Sequence, residues 1–578
     1  MKLVWHYLKK YKKYLFINFI CAFGFILIEI GIPTLLAKGI NANFKNGDVS
    51  FILSLGLEMW VFSIIGLIML IFLAYSTERV TSLIVRDVRN DLFAHIQTFS
   101  RDQYEDFGIS RFITNTGTDA YMIMQFMTLI LRTGIIAPFM IATSFFMIMR
   151  ENFELAFITI GAVPLLLLGV YLINRITHPL SQKLQRGLDG INRNMRESLT
   201  GLRVVRAFNN EDLQEKRFKT VNDNYAKLSK LMFQKVAFIS PIFTVIFCGV
   251  MVAVVSIGSS EINEGMLQVG TLAAFIEYVF HALFSFLMLA SVLIMYPRFS
   301  VSVERIKEVL DTKPELNPNR ENGVVDTETQ GYIEFDNVSF CYGDACEEYV
   351  LKDISFTAKP GETVAFIGST GSGKSTLIKL LPRFFDVSNG SINIDGVNIK
   401  DYNIDALRRK IGYVPQKATL FSGTFRDNLL FGNRQATQIE LDKAIEIAQA
   451  KEFIENKEDG LEELVSEGGT NLSGGQKQRL CIARALTRKA PIYIFDDSFS
   501  ALDYKTDAIL RKRLKEDITD ATMLIVAQRV GTIMDADKIL VINEGKVVGQ
   551  GTHKELLQSN EIYQEIAYSQ LSKEELAI

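Results

Sequence analysis

The sequence predicts a multidomain membrane protein: an all-α transmembrane domain of six helices with long cytoplasmic helical extensions, followed by an α/β domain built on a phosphate-binding loop. Three observations predict it. Six long apolar runs crowd the first half of the chain, while its charged residues gather in the second. A polar stretch with Pro314 and Pro318, residues 313–330, separates the halves and reads as a linker. Beyond it, "ETVAFIGSTGSGKSTLIKLL" reads as strand, glycine-rich loop and helix. The averages, a net charge of -3 and 48% hydrophobic residues, hide this division. Since single cores seldom grow beyond about 250–300 residues, a chain of 578 has room for both parts.

The runs span 14–37, 52–75, 127–149, 153–173, 236–258 and 272–296 within a transmembrane domain of 1–312. Crossing a hydrocarbon core of about 30 Å takes about 20 helical residues, so each is long enough. Only "RENF" separates the third run from the fourth, which demands a tight hairpin. Lysines 2, 9, 10, 12 and 13 precede the first run, and arginines are frequent in the long 76–126 and 174–235 connections. The positive-inside rule then places both termini and these connections in the cytoplasm of a multi-pass protein of the plasma or inner membrane. No small-residue cleavage site follows the basic N-terminus, so the first run is expected to be a retained anchor.

Within the connections, "SRFITNTGTDA" (110–120) and "ESLTGLRVVRAFNNED" (197–212) break the helical pattern with glycine and polar residues, as a turn between long helices would. Asn18, Glu29, Arg132, Glu277 and His281 fall inside the spans. Intramembrane polar groups usually face a bundle interior or a wet cavity, which makes Glu277 and His281 candidate substrate contacts; Glu29 and Arg132 are equally suited to tying helices together. The five cysteines form neither CxxC pairs nor a dense framework, so neither disulfides nor a zinc site is expected.

The second domain, 331–578, carries the chemistry. Gly368, Ser369, Thr370, Gly371, Ser372, Gly373, Lys374 and Ser375 fit G-x-x-x-x-G-K-[ST] at every position, with Thr376 following. Such a loop turns backbone N–H groups toward phosphates, its lysine reaches the terminal phosphates and its hydroxyl ligates Mg2+. ATP with Mg2+ is the expected ligand. "PIYIFDD" is a strand ending in acid, where Asp496 would hold the metal through water.

Between these lies "NLSGGQKQRLCIARAL", 471–486. "LSGGQ" ahead of a helix, together with the phosphate loop, resembles the ATP-binding cassette family, and six spans fused ahead of one cassette resemble an exporter half-transporter working as a pair of chains. That resemblance implies roles at matching positions. Tyr342 would stack on adenine, and Gln416 of "YVPQ" would sense the metal and γ-phosphate. Ser473, Gly474, Gly475 and Gln476 would complete the site on the partner chain, and "SALD" (500–503) would face that chain. The segments near 110–120 and 200–212 become coupling helices, sensed by the loop around Glu467.

Two positions depart from the family pattern. A glutamate acting as general base normally follows the metal-holding aspartate, and here Asp497 stands there. A switch histidine normally ends the later strand, and "ATMLIVAQRVGTI" has Gln528. One C–C bond withdraws a carboxylate by about 1.5 Å, and Gln528 would donate a hydrogen bond to the γ-phosphate but takes up no proton or positive charge near neutral pH. With "LSGGQ" intact, the combination resembles the subunit of a heterodimeric exporter that holds ATP at a degenerate site while completing its partner's. The partner would then carry the glutamate and histidine.

Heterodimers of this kind imply an amphipathic, drug-like and often cationic substrate. The aromatic and methionine content of "LAAFIEYVFHALFSFLMLASVLIMY" suits one. A lipid or peptide exporter, a metal-chelate importer on the exporter fold, and an ATP-gated regulator without transport are the alternatives. Basic residues are spread along the helices rather than gathered in a basic domain, so no nucleic-acid partner is expected.

Overall fold

The computed structural model describes residues 2–46, 49–315, 323–327, 330–343 and 348–571. They fall into two compact units, Met1–Gln97 with Ser110–Thr312, and Thr98–Ile109 with Lys313–Ile578.

The first unit is helical. By length and composition, five of its helical stretches can cross a membrane: Lys12–Ala42, Val49–Ile96, Ile109–Glu151, Glu211–Asn263 and Val269–Asp311. The sixth run is the shorter apolar start, Phe153–Gly169, of the helix Phe153–Thr200. At 1.5 Å per residue, a 48-residue helix such as Val49–Ile96 far outruns a bilayer core of about 30 Å, and the excess forms the long polar extensions. Asn152 turns the tight hairpin, its side chain accepting from the N–H groups of Glu154 and Leu155. Buried polar pairs tie helices where apolar contact alone gives little preference in lipid: Asn18 donates to Thr77 Oγ1 at 2.7 Å, and the Thr34 and Tyr278 hydroxyls meet at 2.7 Å.

The first reversal between long helices does not lie at 110–120. The chain turns at 98–108, through a short helix Arg101–Phe107 capped by Ser100 and ended by Gly108 at φ 75°. Residues 110–120 instead run on through helix and a π-helical turn, Asn115–Asp119. Part of their polar character has another cause: Asp119 is buried and accepts from Ser302 Oγ at 2.7 Å, a polar tie between helices. The second reversal falls within 200–212, with Leu202–Ala207 as a short helix none of whose residues is buried.

The second unit centres on a six-stranded sheet: β1 Thr363–Ile367, β2 Ile411–Val414, β3 Ile492–Asp496, β4 Thr522–Val526, β5 Lys538–Asn543 and β6 Lys546–Gly551. Its order is β6-β5-β1-β4-β3-β2, parallel except for the antiparallel β5–β6 edge. β1, β3 and β4 are nearly continuous apolar runs because both faces are covered. Phe366, Ile494 and Leu524 pack on one side, and Ile367, Phe495 and Ile525 on the other, with Leu480, Ile482 and Leu510. A four-stranded antiparallel sheet, containing Ile333–Phe340 and Leu351–Ala358, flanks it.

Part of the linker is pinned to this unit. Val324 pairs with the segment around Tyr402, accepting from Asn403 N at 2.9 Å and donating to Asp401 O at 2.9 Å; Lys410 Nζ donates to Thr327 Oγ1 at 2.6 Å. Cys341 corrects the cysteine expectation. It is disulfide-bonded, whereas Cys21, Cys248 and Cys481 are free. A single bond at a strand end leaves neither of the spacing signatures that the sequence lacks.

Candidate functional site

Strands β1 to β4 end level, Val526 pairing with both Asp496 and Phe366, and Val414 with Phe495. Their carboxyl ends therefore deliver four predicted site segments to one edge, the place where open parallel sheets bind ligands.

The loop after β1 needs glycine at two positions. Gly368 has φ 154°, and a Cβ there would lie 2.0 Å from the Ile542 carbonyl oxygen; Gly373 has φ 101°, and a Cβ there would meet Leu351 at 2.7 Å. Between them Ser369, Thr370 and Gly371 form the exposed tip. Lys374 is buried and donates to the carbonyls of Gly368 and Ser369 at 2.8 and 2.7 Å and to Ser372 Oγ at 3.2 Å. Burial lowers its pKa, with Asp497 and Asp496 opposing that fall. Ser375 Oγ donates to Asp496 Oδ1 at 2.6 Å. A hydroxyl and a carboxylate side by side are hard oxygen donors of the kind Mg2+ takes, so these two residues fit the ion and would hold it.

One pairing joins three of the predicted site residues. Asp497 Oδ2 accepts from Gln528 Nε2 at 2.7 Å and from Gln416 Nε2 at 3.3 Å. Gln416, expected to sense metal and γ-phosphate, lies against the carboxylate, and Gln528 holds the same oxygen from the end of β4. Asp497 is 8% exposed and adopts φ 48°, a left-handed conformation uncommon outside glycine. Burial raises its pKa, the Gln416 hydrogen bond lowers it and the neighbouring Asp496 charge raises it. Tyr413 was missed from the sequence: its hydroxyl lies 3.5 Å from Asp496 Oδ2, and its only signal is a place in "YVPQ".

Ser473 N-caps the helix Gly474–Leu486 in a capping box: its Oγ accepts from Gln476 N at 3.3 Å and its N–H donates to Gln476 Oε1 at 3.0 Å. Ser473 and Gly474 are exposed, Gly475 and Gln476 half-buried. A Cβ on Gly475 would lie 3.3 Å from the Ala501 carbonyl, whereas one on Gly474 would meet nothing within 4 Å. The signature and the "SALD" loop are thus neighbours, presenting one accessible helix start whose positive dipole end suits an anion. Asp503 caps the next helix, Tyr504–Asp517. Glu467 is exposed on a short turn, Glu467–Gly469.

Tyr342 lies in a cleft of about 520 Å3 with Phe340, Phe384 and Phe385. Its hydroxyl is 2.9 Å from Thr376 Oγ1, and its ring meets Phe385 edge-on at 5.3 Å. In the helical unit Glu277 is exposed and His281 half-buried. An aromatic row flanks them, Phe280 lying 5.6 Å from both Phe247 and Phe284 and 5.8 Å from His281.

Two family models match, ABC transporter over residues 351–500 and ABC transporter transmembrane region over 15–288. The chain is 37% identical over 549 residues to an uncharacterized ABC transporter ATP-binding protein of Mycobacterium tuberculosis, covering 94% of each. It is 33% identical over 579 residues to a Staphylococcus aureus protein named for multidrug export, covering 97% of this chain and 98% of that one. It is 31% identical over 571 residues to the ATP-dependent lipid A-core flippase of Desulfotalea psychrophila, covering 98% of each. Among solved structures, a bacterial Atm1-family ABC exporter with ATP bound aligns with TM-score 0.81 and 25% identity, over 98% of this chain and 99% of that one.

Proposed function

Because the chain belongs to the ABC transporter family, as an exporter half-transporter with one transmembrane domain fused to one nucleotide-binding domain, we propose that it is the degenerate-site subunit of a heterodimeric exporter. It binds ATP and Mg2+ at its own loop, turns that ATP over slowly, and lends Ser473 to Gln476 to a partner chain that hydrolyses. The carrying observation is the Asp497 carboxylate, one methylene short and held by two glutamine amides. A general base needs a free oxygen about 2.6–3.2 Å from the water it activates. Here Oδ2 is already engaged by both amides, and neither glutamine takes up a proton in the pH range of histidine.

In this reading Lys374 binds the terminal phosphates, Tyr342 stacks on the base, and Ser375 and Asp496 would hold Mg2+, which supplies charge neutralisation at the phosphates. The chain sits in the cell membrane with its nucleotide domain in the cytoplasm. The deciding measurement is ATP turnover by the purified chain alone and with its partner. Slow turnover alone and fast turnover together are expected; a chain alone matching a glutamate-bearing relative would overturn the assignment.

The proposed substrate is an amphipathic cation. An exposed carboxylate at Glu277 beside the row Phe247, Phe280 and Phe284 offers charge and aromatic faces to such a molecule. Glu277→Gln is expected to lower export of cationic dyes about tenfold, the scale of one lost charge contact in a partly solvated site. Export of neutral dyes and substrate-free ATPase activity should hardly change. An equal fall for both dye classes would show that Glu277 holds helices instead.

A further inference from the structure

The last helix of the second unit, Glu561–Gln570, ends on a contact that the ATP site does not explain by itself. Gln570 Nε2 donates to the Gln528 carbonyl oxygen at 2.8 Å, and Gln570 Oε1 accepts from the Val530 N–H at 2.8 Å. A single side-chain amide thus uses a donor and an acceptor on two main-chain groups either side of Arg529. A primary amide offers both senses in one plane whatever the pH near neutrality.

The helix that carries it is well anchored. Tyr563 and Ala567 are buried in the same cluster as Val530 and Ile533, and Tyr563 OH lies 2.6 Å from His553 Nδ1. Two further ties act on the same segment. Ala527 N donates to Phe366 O at 3.1 Å, and the Arg529 guanidinium lies 5.0 Å over the Tyr504 ring, at the start of the helix after "SALD". Gln528 therefore sits on a segment held from β1, from Tyr504 and from Gln570, with its side chain turned to Asp497 at 2.7 Å.

We infer that Gln570 is a positioning residue for the ATP site: it latches the segment 528–530 so that the Gln528 amide points at Asp497 and the γ-phosphate. The inference rests on the reading of Gln528 as the residue that meets the γ-phosphate. Gln570 touches no residue of the phosphate loop in the hydrogen-bond pattern of the described residues, so its influence on nucleotide passes through Gln528. On the same reading the base and the α- and β-phosphates, which ADP retains, would be held by Tyr342 and the phosphate loop.

The test is binding of a non-hydrolysable ATP analogue and of ADP to the full chain in lipid nanodiscs, for Gln570→Leu, Gln570→Glu, Gln528→Ala and the Gln528→Ala/Gln570→Leu double variant. Loss of one or two net hydrogen bonds predicts roughly fivefold weaker binding of the analogue for Gln570→Leu. Gln570→Glu, which sets a carboxylate oxygen against the Gln528 carbonyl, should be at least as weak. ADP affinity should stay within about twofold for all, and the double variant should match Gln528→Ala because both act through one group. The latch is overturned if analogue and ADP affinities fall together, if neither moves, or if the two substitutions are additive. Should Gln528→Ala leave analogue binding unchanged, the γ-phosphate reading falls and the latch with it; should only the Gln570 variants leave it unchanged, the latch alone falls.

Discussion

Changing Asp497 to glutamate together with Gln528 to histidine is expected to raise ATP turnover at this chain's own site about 100-fold, the lower end of what a positioned base contributes. On the proposed reading that the parent is slow, two effects compete to explain it. One is electrostatic: a carboxylate with too low a pKa would be a poor base. Burial, however, pushes Asp497 up, so basicity is not what is missing. The other is reach. Asp497 is one methylene short, and its Oδ2 accepts from Gln528 at 2.7 Å and Gln416 at 3.3 Å. Restoring the methylene advances the oxygen by about 1.5 Å, and replacing Gln528 removes the closer of the two amides while supplying a group that can carry charge. Asp497→Glu alone should therefore recover only part of the gain, since a glutamine remains at 528. Phosphate release by the purified full chain, with thermal midpoints to show that each variant folds, checks the prediction. A folded double variant no faster than the parent would mean that the slow step lies outside these two residues.

The cassette was more legible than the membrane half, for physical reasons. Gly368 and Gly373 occupy backbone conformations that a side chain would obstruct, and β1, β3 and β4 are apolar on both faces, so motif and strand announce each other. In the helical half, one letter pattern serves two purposes. The polar residues of 110–120 read as a turn, yet Asp119 is buried against Ser302 and the chain reverses earlier, at Gly108. Periodicity reports which face is polar, not whether a neighbouring helix covers it. The contacts of Gln570 and Tyr413 were invisible for a further reason: a lone glutamine or tyrosine gains its role from what the fold brings within hydrogen-bonding reach. The substitutions at 497 and 528 were legible as departures, but their mutual hydrogen bond was not, because 31 residues separate them.

Gly474→Asp is expected to lower transport and ATPase activity of the assembled pair about 100-fold, whereas Lys374→Ala in the same chain lowers them about tenfold or less. Within its own chain the aspartate has room, since a Cβ on Gly474 would meet nothing within 4 Å and the residue is exposed. Its cost therefore arises only when the helix start of Gly474–Leu486 faces the nucleotide bound by the partner. There a carboxylate sits at the positive end of the helix and opposite a phosphate, and like charges brought together across an interface cost several kcal/mol. Lys374 acts at the other site. Its ammonium is buried within the phosphate loop, so its loss is expected to weaken nucleotide binding by this chain, at a site that in the proposed division of roles contributes occupancy more than turnover. The asymmetry is read by measuring both substitutions in the complex beside the corresponding lysine change in the partner. If Lys374→Ala and the partner's lysine change abolish activity equally, both sites hydrolyse and the division of roles between the two chains is wrong. If Gly474→Asp lowers the melting temperature of the isolated chain, the loss lies in its own fold, contrary to the open space around that residue.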